Sequence, residues 1–256
     1  ERQRELFDVN QELRKQYEIL QHREGFRCRP FEELWNELEE FCQQNTGKEV
    51  ERETQRYAEL LVEGLARHPK QVKDNVIAVL NEANPDNYLL EEYLVPLAGT
   101  LKLEETIPAL FRILNETDFM YIIHQSCKEA LGKIGTPQVL EGIGRYYEEN
   151  EELRIDLAVI LEYMPYEYTE DFAIRLLERE QSIENKTFIA GSLCDIFSLK
   201  AANHIKELIE TRHYDPTIMS LTDHLIPIYV YHNQDVDWSH LERIDKEFHE
   251  KTFKES

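Results

Sequence analysis

A helical hydrophobic pattern that recurs about every 30 to 35 residues is the feature that most constrains how this chain can fold. In one segment after another, apolar residues stand three and four positions apart, which is typical of amphipathic α-helices. Equivalent leucines stand 30 to 32 residues apart, at Leu131, Leu161, Leu193 and Leu225. A period of this length is typical of helical solenoids, in which each helix pair buries its apolar face against the next pair. The pattern therefore predicts a stack of helix pairs.

The clearest predicted pair lies in the middle of the chain. Residues 104–114 carry one apolar face, and Gly135 stands where the second helix, 119–135, needs a left-handed C-cap. Thr136 and Pro137 suit the cap and the first position of the helix that follows. The other predicted helices of the repeats cover 70–81, 87–101, 137–149, 152–164, 170–180, 184–198, 201–212 and 216–230.

Both ends of the chain are less regular than the repeats between them. Two predicted helices, 31–44 and 50–68, precede the repeats, and one amphipathic helix follows them. Terminal repeats must present a polar outer face, so the two N-terminal helices are interpreted as a cap or a degenerate first repeat, and the last helix as the cap of the other end. The prediction is a single helical-repeat domain over 1–256, with N-terminal capping helices (1–56), repeats (57–231) and a C-terminal capping helix (232–256).

The segment ALGKIGTPQVLEGI (130–143) carries the most specific signal. It resembles the junction between HEAT-like repeats of the phycobilin-lyase type, where the second helix ends in an Ala-Leu-Gly-x-Ile-Gly turn followed by x-Pro. Segment 95–110 is a weaker copy, while 160–168 and 192–200 keep the hydrophobic positions and lose the glycines. The resemblance implies an all-α, right-handed α-α superhelix, a HEAT-like solenoid. This architecture serves many unrelated roles, so it does not imply one function.

The charge of the chain bears on its partners. The formal net charge is −22, from 51 acidic residues against 29 lysines and arginines. Such a surface repels phosphate backbones, because nucleic-acid affinity comes largely from cationic side chains that displace counterions. An anionic membrane is disfavoured for the same reason. The acidity therefore argues against nucleic acid and membrane, and either steers a basic protein partner or only keeps the chain soluble.

The cysteines indicate a compartment. Four cysteines lie far apart in the sequence without a CxxC pair, and Cys127 and Cys194 fall on apolar helix faces. Isolated thiols of this kind behave as small hydrophobes. This usage is typical of a reducing environment rather than of a disulfide framework, and no apolar run approaches the length of a membrane span. The expectation is a cytoplasmic protein.

Enzymes built on HEAT-like repeats give a set of alternatives. Deoxyhypusine hydroxylase resembles this fold and binds di-iron through repeated His-Glu pairs, whereas this chain has one such pair, His249–Glu250, outside the repeats. Alkylpurine DNA glycosylases of this type need a basic groove, which a charge of −22 does not favour. The bilin lyases stay open as an alternative, because they share the repeat type and their chemistry leaves no compact motif. No cofactor is predicted.

One cluster near the C-terminus combines potential metal ligands. The segment HNQDVDWSH brings imidazoles and carboxylates together, and both are suitable ligands for zinc or a related ion. The same residue types form ordinary turns and caps between two helices, which is the favoured interpretation. The candidate ligands are His232, Asp235, Asp237 and His240.

An acidic, tyrosine-rich stretch is the best candidate for partner binding. Residues 140–184 hold 13 acidic side chains against 4 basic ones. Tyrosine is enriched at binding hot spots, although several of these rings could instead be buried with only the hydroxyl near solvent. Adjacent glutamates such as Glu91–Glu92 and Glu148–Glu149 are predicted to be solvated rather than paired for catalysis, because neighbours on a helix point about 100° apart. The predicted contact residues are Tyr146, Tyr147, Glu148, Glu149, Tyr163, Tyr166 and Tyr168, with the polar helix positions His124 and Arg154.

These observations predict a non-catalytic protein-binding scaffold or regulator that holds a basic protein partner on an acidic, tyrosine-rich surface. One version is an inhibitor or immunity-type protein that covers a basic toxin or nuclease, and an adaptor in a larger complex is equally compatible. The alternative is an enzyme or enzyme accessory of the bilin-lyase type, or a metal-dependent activity at the cluster between His232 and His240.

Overall fold

The structure is a computed structural model that describes residues 23–48, 50–234 and 238–255. Every regular element in these ranges is helical, and no strand occurs in them. The all-α class predicted from the sequence is therefore confirmed, while residues 1–22 of the predicted N-terminal cap lie outside the described residues. The α-helices are α1 (Phe31–Asn45), α2 (Arg52–Leu65), α3 (Pro69–Glu82), α4 (Tyr88–Thr100), α5 (Ile107–Glu116), α6 (Ile122–Ile134), α7 (Pro137–Glu149), α8 (Arg154–Glu162), α9 (Glu167–Arg179), α10 (Ile183–Asp195), α11 (Ala202–Thr211), α12 (Leu221–Tyr231) and α13 (Trp238–Glu255).

Local signals fix several helix ends. Gly135 has φ +60°, as its predicted role as a left-handed C-cap requires, and Pro137 occupies the first turn of α7. Thr136 lies at the N-cap of α7, but its side chain makes no capping hydrogen bond with a described residue, so that part of the prediction is wrong. Ser220 caps α12 by accepting a hydrogen bond from the Asp223 backbone N–H at 3.2 Å, and α12 therefore begins at Leu221 rather than at residue 216.

The contacts of the chain divide it into two compact units, Glu1–Ala130 and Leu131–Ser256. In the first unit, α1 packs on α2, α3 packs on α4, and α4 also contacts α1 and α2. A Cβ atom added to Gly99 would lie 2.6 Å from the Cα of Ala130, so the backbones of α4 and α6 approach too closely there for any other residue. The core of this unit is rich in leucines, with valines, isoleucines and aromatic side chains among them, including Phe111, which is fully buried.

In the second unit, α10 packs between α8 and α12. The hydroxyl of Ser192 on α10 donates a hydrogen bond to the carbonyl of Ala158 on α8 at 2.9 Å. At the end of α6, a Cβ atom added to Gly132 would lie 2.1 Å from the Cβ of Tyr163, so this glycine is also required by a close approach. The last helix, α13, packs on α11 and α12.

Hydrogen bonds between helices repeat the period of the sequence. In the second unit, Ser192 bonds to Ala158, 34 residues earlier, and the Tyr168 hydroxyl donates to the carbonyl of Gly135, 33 residues earlier. In the first unit, Arg112 donates to the carbonyl of Leu80 across 32 residues at 3.0 Å. Neighbouring helix pairs within each unit are thus offset by one repeat. The right-handed superhelix and the organisation as a single domain stay predictions.

The cysteines and the apolar segments carry two further observations. All four cysteines are free, and Cys42, Cys127 and Cys194 are buried, as the apolar positions of the last two predict. Within the described ranges, no helix combines the length and the apolar character that crossing a membrane requires. The cytoplasmic localisation stays a prediction.

Candidate protein-binding surfaces

Three of the predicted contact tyrosines form a partly exposed group, which we call the tyrosine cluster (Tyr163, Tyr166 and Tyr168). Each of the three is between 36% and 37% exposed, and the rings of Tyr166 and Tyr168 stack with their centroids 5.1 Å apart. The hydroxyl of Tyr168 donates to the carbonyl of Gly135, while a Cβ atom on Gly135 would lie 2.9 Å from the Tyr166 ring. The cluster therefore lies at the end of α8 and the start of α9 and is fixed by the turn after α6.

Tyr147 differs from these three because it is buried, with 4% exposure. Its hydroxyl donates to the carboxylate of Glu180, which also accepts hydrogen bonds from the backbone N–H groups of Gln181 and Ser182. Burial and the neighbouring Glu180 raise the pKa of Tyr147. Burial alone would raise the pKa of the Glu180 carboxyl, but the hydrogen bonds that it accepts have the larger combined effect and lower this pKa. The Arg154 guanidinium covers the Tyr147 ring at 5.2 Å, so Tyr147 is a structural residue rather than the surface residue predicted.

The remaining predicted contact residues take different positions. Glu148 and Glu149 are exposed, as predicted, and Tyr146 is half-buried beneath the guanidinium of Arg145 at 4.8 Å. His124 is only 2% exposed, and its Nδ1 lies 3.1 Å from the carbonyl of Thr117. The sequence predicts that His124 on α6 faces a partner, but the turn before the helix covers this side chain.

The predicted metal cluster is only partly described. Asp235 and Asp237 lie outside the described residues. The Nε2 of His232 lies 3.1 Å from the carbonyl of Phe197, and the Nδ1 of His240 lies 3.4 Å from a guanidinium nitrogen of Arg243. In the part of the chain that the structure describes, no group of three or more His, Cys, Asp or Glu side chains could hold a metal ion. The metal-dependent alternative stays a prediction.

A surface that the sequence did not single out lies in the first unit. The helices α2, α4 and the start of α6 enclose a groove of about 380 Å³, which we call the acidic groove. Its walls carry three carboxylates and its apolar surface comes from four side chains. These residues are Glu59, Glu63 and Glu92 with Val62, Tyr93, Pro96 and Ile122.

Two of the three carboxylates of the acidic groove have no ion-pair partner among the described residues. Glu63 is paired with Arg23 at 2.6 Å, whereas Glu59 is exposed and Glu92 is half-buried. Burial raises the pKa of Glu92. Burial together with the charge of Glu92 also raises the pKa of Tyr93 to about 12. At Glu59 and Glu92, the groove therefore carries negative charge that forms no ion pair within the described ranges.

An exposed apolar patch adjoins the acidic groove. Phe119, Met120, Tyr121 and Ile122 are 72%, 75%, 55% and 68% exposed, and we call them the 119–122 patch. The carboxylate of Asp118 accepts a hydrogen bond from the Met120 backbone N–H at 3.0 Å, which holds these residues in a turn ahead of α6. The sequence did contain a signal, because four consecutive large apolar residues cannot all lie on one buried face of a helix. Contiguous exposed apolar residues mark interaction sites.

Glu91 corrects the prediction that adjacent glutamates are solvated. Its side chain is buried, with 6% exposure, and one carboxylate oxygen lies 3.2 Å from the guanidinium of Arg112. The same guanidinium donates to the carbonyl of Leu80 at 3.0 Å. Glu91 therefore links α4 to α5, while Glu148 and Glu149 are solvated as expected.

No protein-family model, curated protein or solved structure matches this chain. The resemblance to HEAT-like repeats of the phycobilin-lyase type stays a prediction, and it depends on the 130–143 junction and on the repeat period.

Proposed function

We propose that this chain is a non-catalytic scaffold or regulator that binds a basic segment of a partner protein in the acidic groove of its first unit. One observation carries the proposal: the carboxylates of Glu59 and Glu92 share a groove with Ile122, which also belongs to the exposed 119–122 patch. A segment that combines apolar residues with lysine or arginine matches both features. Amphipathic segments laid in grooves are a recurring mode of recognition.

The apolar patch supplies most of the affinity in this proposal. Covering an exposed Phe, Met or Ile side chain stabilises a complex by about 1.5–3 kcal/mol each, before the costs of association are subtracted. An exposed ion pair contributes about 0–1 kcal/mol. Phe119, Met120 and Ile122 therefore act as anchors for the partner.

The carboxylates supply selectivity and rate. A cation placed beside Glu92 would compensate a charge that is already half desolvated, whereas an acidic segment would be repelled by both Glu59 and Glu92. The net charge of −22 also attracts a basic protein over longer distances. Binding should therefore weaken as salt is raised, although the apolar contacts persist.

The tyrosine cluster of the second unit is a second proposed contact area. Its three rings are partly exposed, and they lie in the most acidic stretch of the chain. Tyr163, Tyr166 and Tyr168 present rigid aromatic area with hydroxyl groups, which suits hot-spot contacts. The described carboxylates Glu148 and Glu149 are exposed on the same unit.

Site-specific photo-crosslinking tests this function. A benzophenone amino acid replaces Met120, which is 75% exposed, and the matched control carries it in place of Val230, which is 65% exposed in the second unit. Both proteins are irradiated in cell lysate at about 50 mM and about 300 mM salt, and the crosslinked peptides are identified by mass spectrometry.

The expected result is a basic, amphipathic peptide attached at position 120 and absent from position 230, with a lower yield at the higher salt. The Glu59→Gln/Glu92→Gln double variant should reduce that yield. Crosslinks of the same peptides at both positions, or a yield that the double variant leaves unchanged, would contradict the proposal.

A further inference from the structure

The second unit contains a cleft of about 500 Å³ that differs in charge from its surroundings. It lies between α7, the first residue of α8, and α9. The stretch 140–184 has four basic residues, and three of them, Arg154, Arg175 and Arg179, line this one cleft. We call it the arginine cleft. In a strongly acidic stretch, such a concentration of guanidinium groups requires an explanation.

The face of α9 that lines the cleft alternates apolar and cationic residues. Phe172, Arg175, Leu176 and Arg179 follow the spacing i, i+3, i+4 and i+7, which places them along one side of the helix. Opposite them, α7 contributes Gly144, whose added Cβ atom would lie 3.6 Å from the Phe172 ring. Because Gly144 has no side chain, the apolar side of the cleft stays open at this point.

The three cationic groups of the cleft differ in how far the protein already engages them. Arg175 and Arg179 are exposed, and neither has an ion-pair partner among the residues that the structure describes. Arg154 is held in place, because its Nε donates to the carbonyl of Tyr147 at 3.0 Å. Its guanidinium also lies 3.8 Å from the exposed carboxylate of Glu151, a long ion pair that a ligand phosphate would have to replace. The carboxylate of Glu180 is engaged by the hydroxyl of Tyr147 and by two backbone N–H groups. Glu148, the other acid in the lining, is exposed.

We propose that the arginine cleft binds a phosphate monoester whose ester group is aromatic or apolar. The planar guanidinium matches phosphate oxygens through paired hydrogen bonds, and a monoester offers three terminal oxygens to three arginines. The apolar side chains of Phe172 and Leu176 then contact the ester group. A carboxylate has two oxygens and a single charge, so it fits the three cations less well. This site is independent of the proposed partner groove, because it lies in the other unit and selects the opposite charge.

Calorimetric titration of the full chain with phenyl phosphate tests the site, with benzoate as the carboxylate comparison. The Arg175→Gln/Arg179→Gln variant removes two of the three cations. Arg145→Gln is the matched control, because Arg145 is the one basic residue of 140–184 that does not line the cleft. We expect the double variant to weaken phenyl phosphate binding by about tenfold or more, and the control to bind like the wild-type chain.

A second variant fills the cleft without changing its charge. Gly144→Leu replaces glycine with a good helix former in α7, and its Cβ atom would lie 3.6 Å from the Phe172 ring, an ordinary contact. Circular dichroism checks the fold, and titration should show weakened binding. A phosphotyrosine pentapeptide distinguishes the ligand source: tighter binding than phenyl phosphate supports a phosphorylated protein, and equal or weaker binding supports a small organic phosphate.

Three results would overturn the proposal. The wild-type chain could fail to bind phenyl phosphate at a concentration of about 5 mM, which would mean a dissociation constant well above 1 mM. Benzoate could bind as tightly as phenyl phosphate. The double arginine variant could also bind as tightly as the wild-type chain.

Discussion

The hydroxyl of Tyr147 donates a hydrogen bond to the carboxylate of Glu180, and both side chains are buried. The two residues are 33 positions apart, which is one repeat of the hydrophobic pattern. The bond therefore joins α7 to the residue that follows α9. It also orients Arg154, which packs on the Tyr147 ring at 5.2 Å and reaches the arginine cleft.

Removal of this hydroxyl should destabilise the chain. In Tyr147→Phe the Glu180 carboxylate loses one of its donors while it stays buried, and a buried polar group without its partner costs about 1–3 kcal/mol. Urea unfolding followed by circular dichroism measures the difference. Tyr146→Phe is the control, because that ring is half-buried on the neighbouring position of the same helix. Equal stability of Tyr147→Phe and the wild-type chain would show that the bond contributes nothing.

Two helical glycines should respond in opposite ways to the same substitution. In Gly132→Ala the new Cβ atom would lie 2.1 Å from the Cβ of Tyr163, so α6 or the end of α8 must shift. This shift should lower the free energy of unfolding by about 1–3 kcal/mol. In Gly144→Ala the nearest atom is 3.6 Å away, and higher helix propensity should stabilise the chain by up to about 1 kcal/mol. Thermal unfolding of both variants tests the pair, and a lower midpoint for Gly144→Ala would argue against the described approach of α7 and α9.

The helices could be predicted from the sequence because each one needs only a local pattern. Gly135 has the predicted left-handed backbone, since a glycine after an apolar helical run is a strong C-cap signal. Phe197 also has a positive φ, at 57°, but a phenylalanine in the sequence does not signal a helix end. The predicted helix therefore runs to residue 198, whereas α10 ends at Asp195.

The sites could not be predicted because they combine residues from different helices. Glu91 is buried by its pairing with Arg112, 21 residues away, which no local pattern contains. The acidic groove likewise joins Glu59, Glu92 and Ile122 from three helices. A charge count over a window adds all side chains together, so it describes 140–184 as acidic and does not show that three of its four arginines line one cleft.

Two phenylalanines distinguish a binding surface from the core. Phe119 is 72% exposed and Phe111 is fully buried. Phe119→Ser should change the free energy of unfolding by no more than about 0.5 kcal/mol, whereas Phe111→Ser should lower it by about 3 kcal/mol or more. Urea unfolding compares the two. A large loss of stability in Phe119→Ser would mean that the 119–122 patch supports the fold, and the patch would then lose its role as a binding surface.

Glu92 should link stability to pH with a sign opposite to that of an ordinary paired carboxylate. Burial raises the pKa of Glu92 in the folded chain, so its ionisation disfavours folding at neutral pH and ceases to do so once the carboxyl is protonated. Glu92→Gln should therefore be more stable than the wild-type chain at pH 7, by up to about 1 kcal/mol. The advantage should shrink as the pH falls through the pKa of Glu92, and Glu149→Gln, an exposed control, should show none. Urea unfolding between pH 4 and pH 7 measures both variants.

The stability and the partner binding of Glu92→Gln together show what this carboxylate does. Higher stability at pH 7 with weaker binding of the partner is the result expected of a carboxylate kept for a cationic partner. Lower stability at pH 7 with weaker binding would mean that the groove is a structural feature.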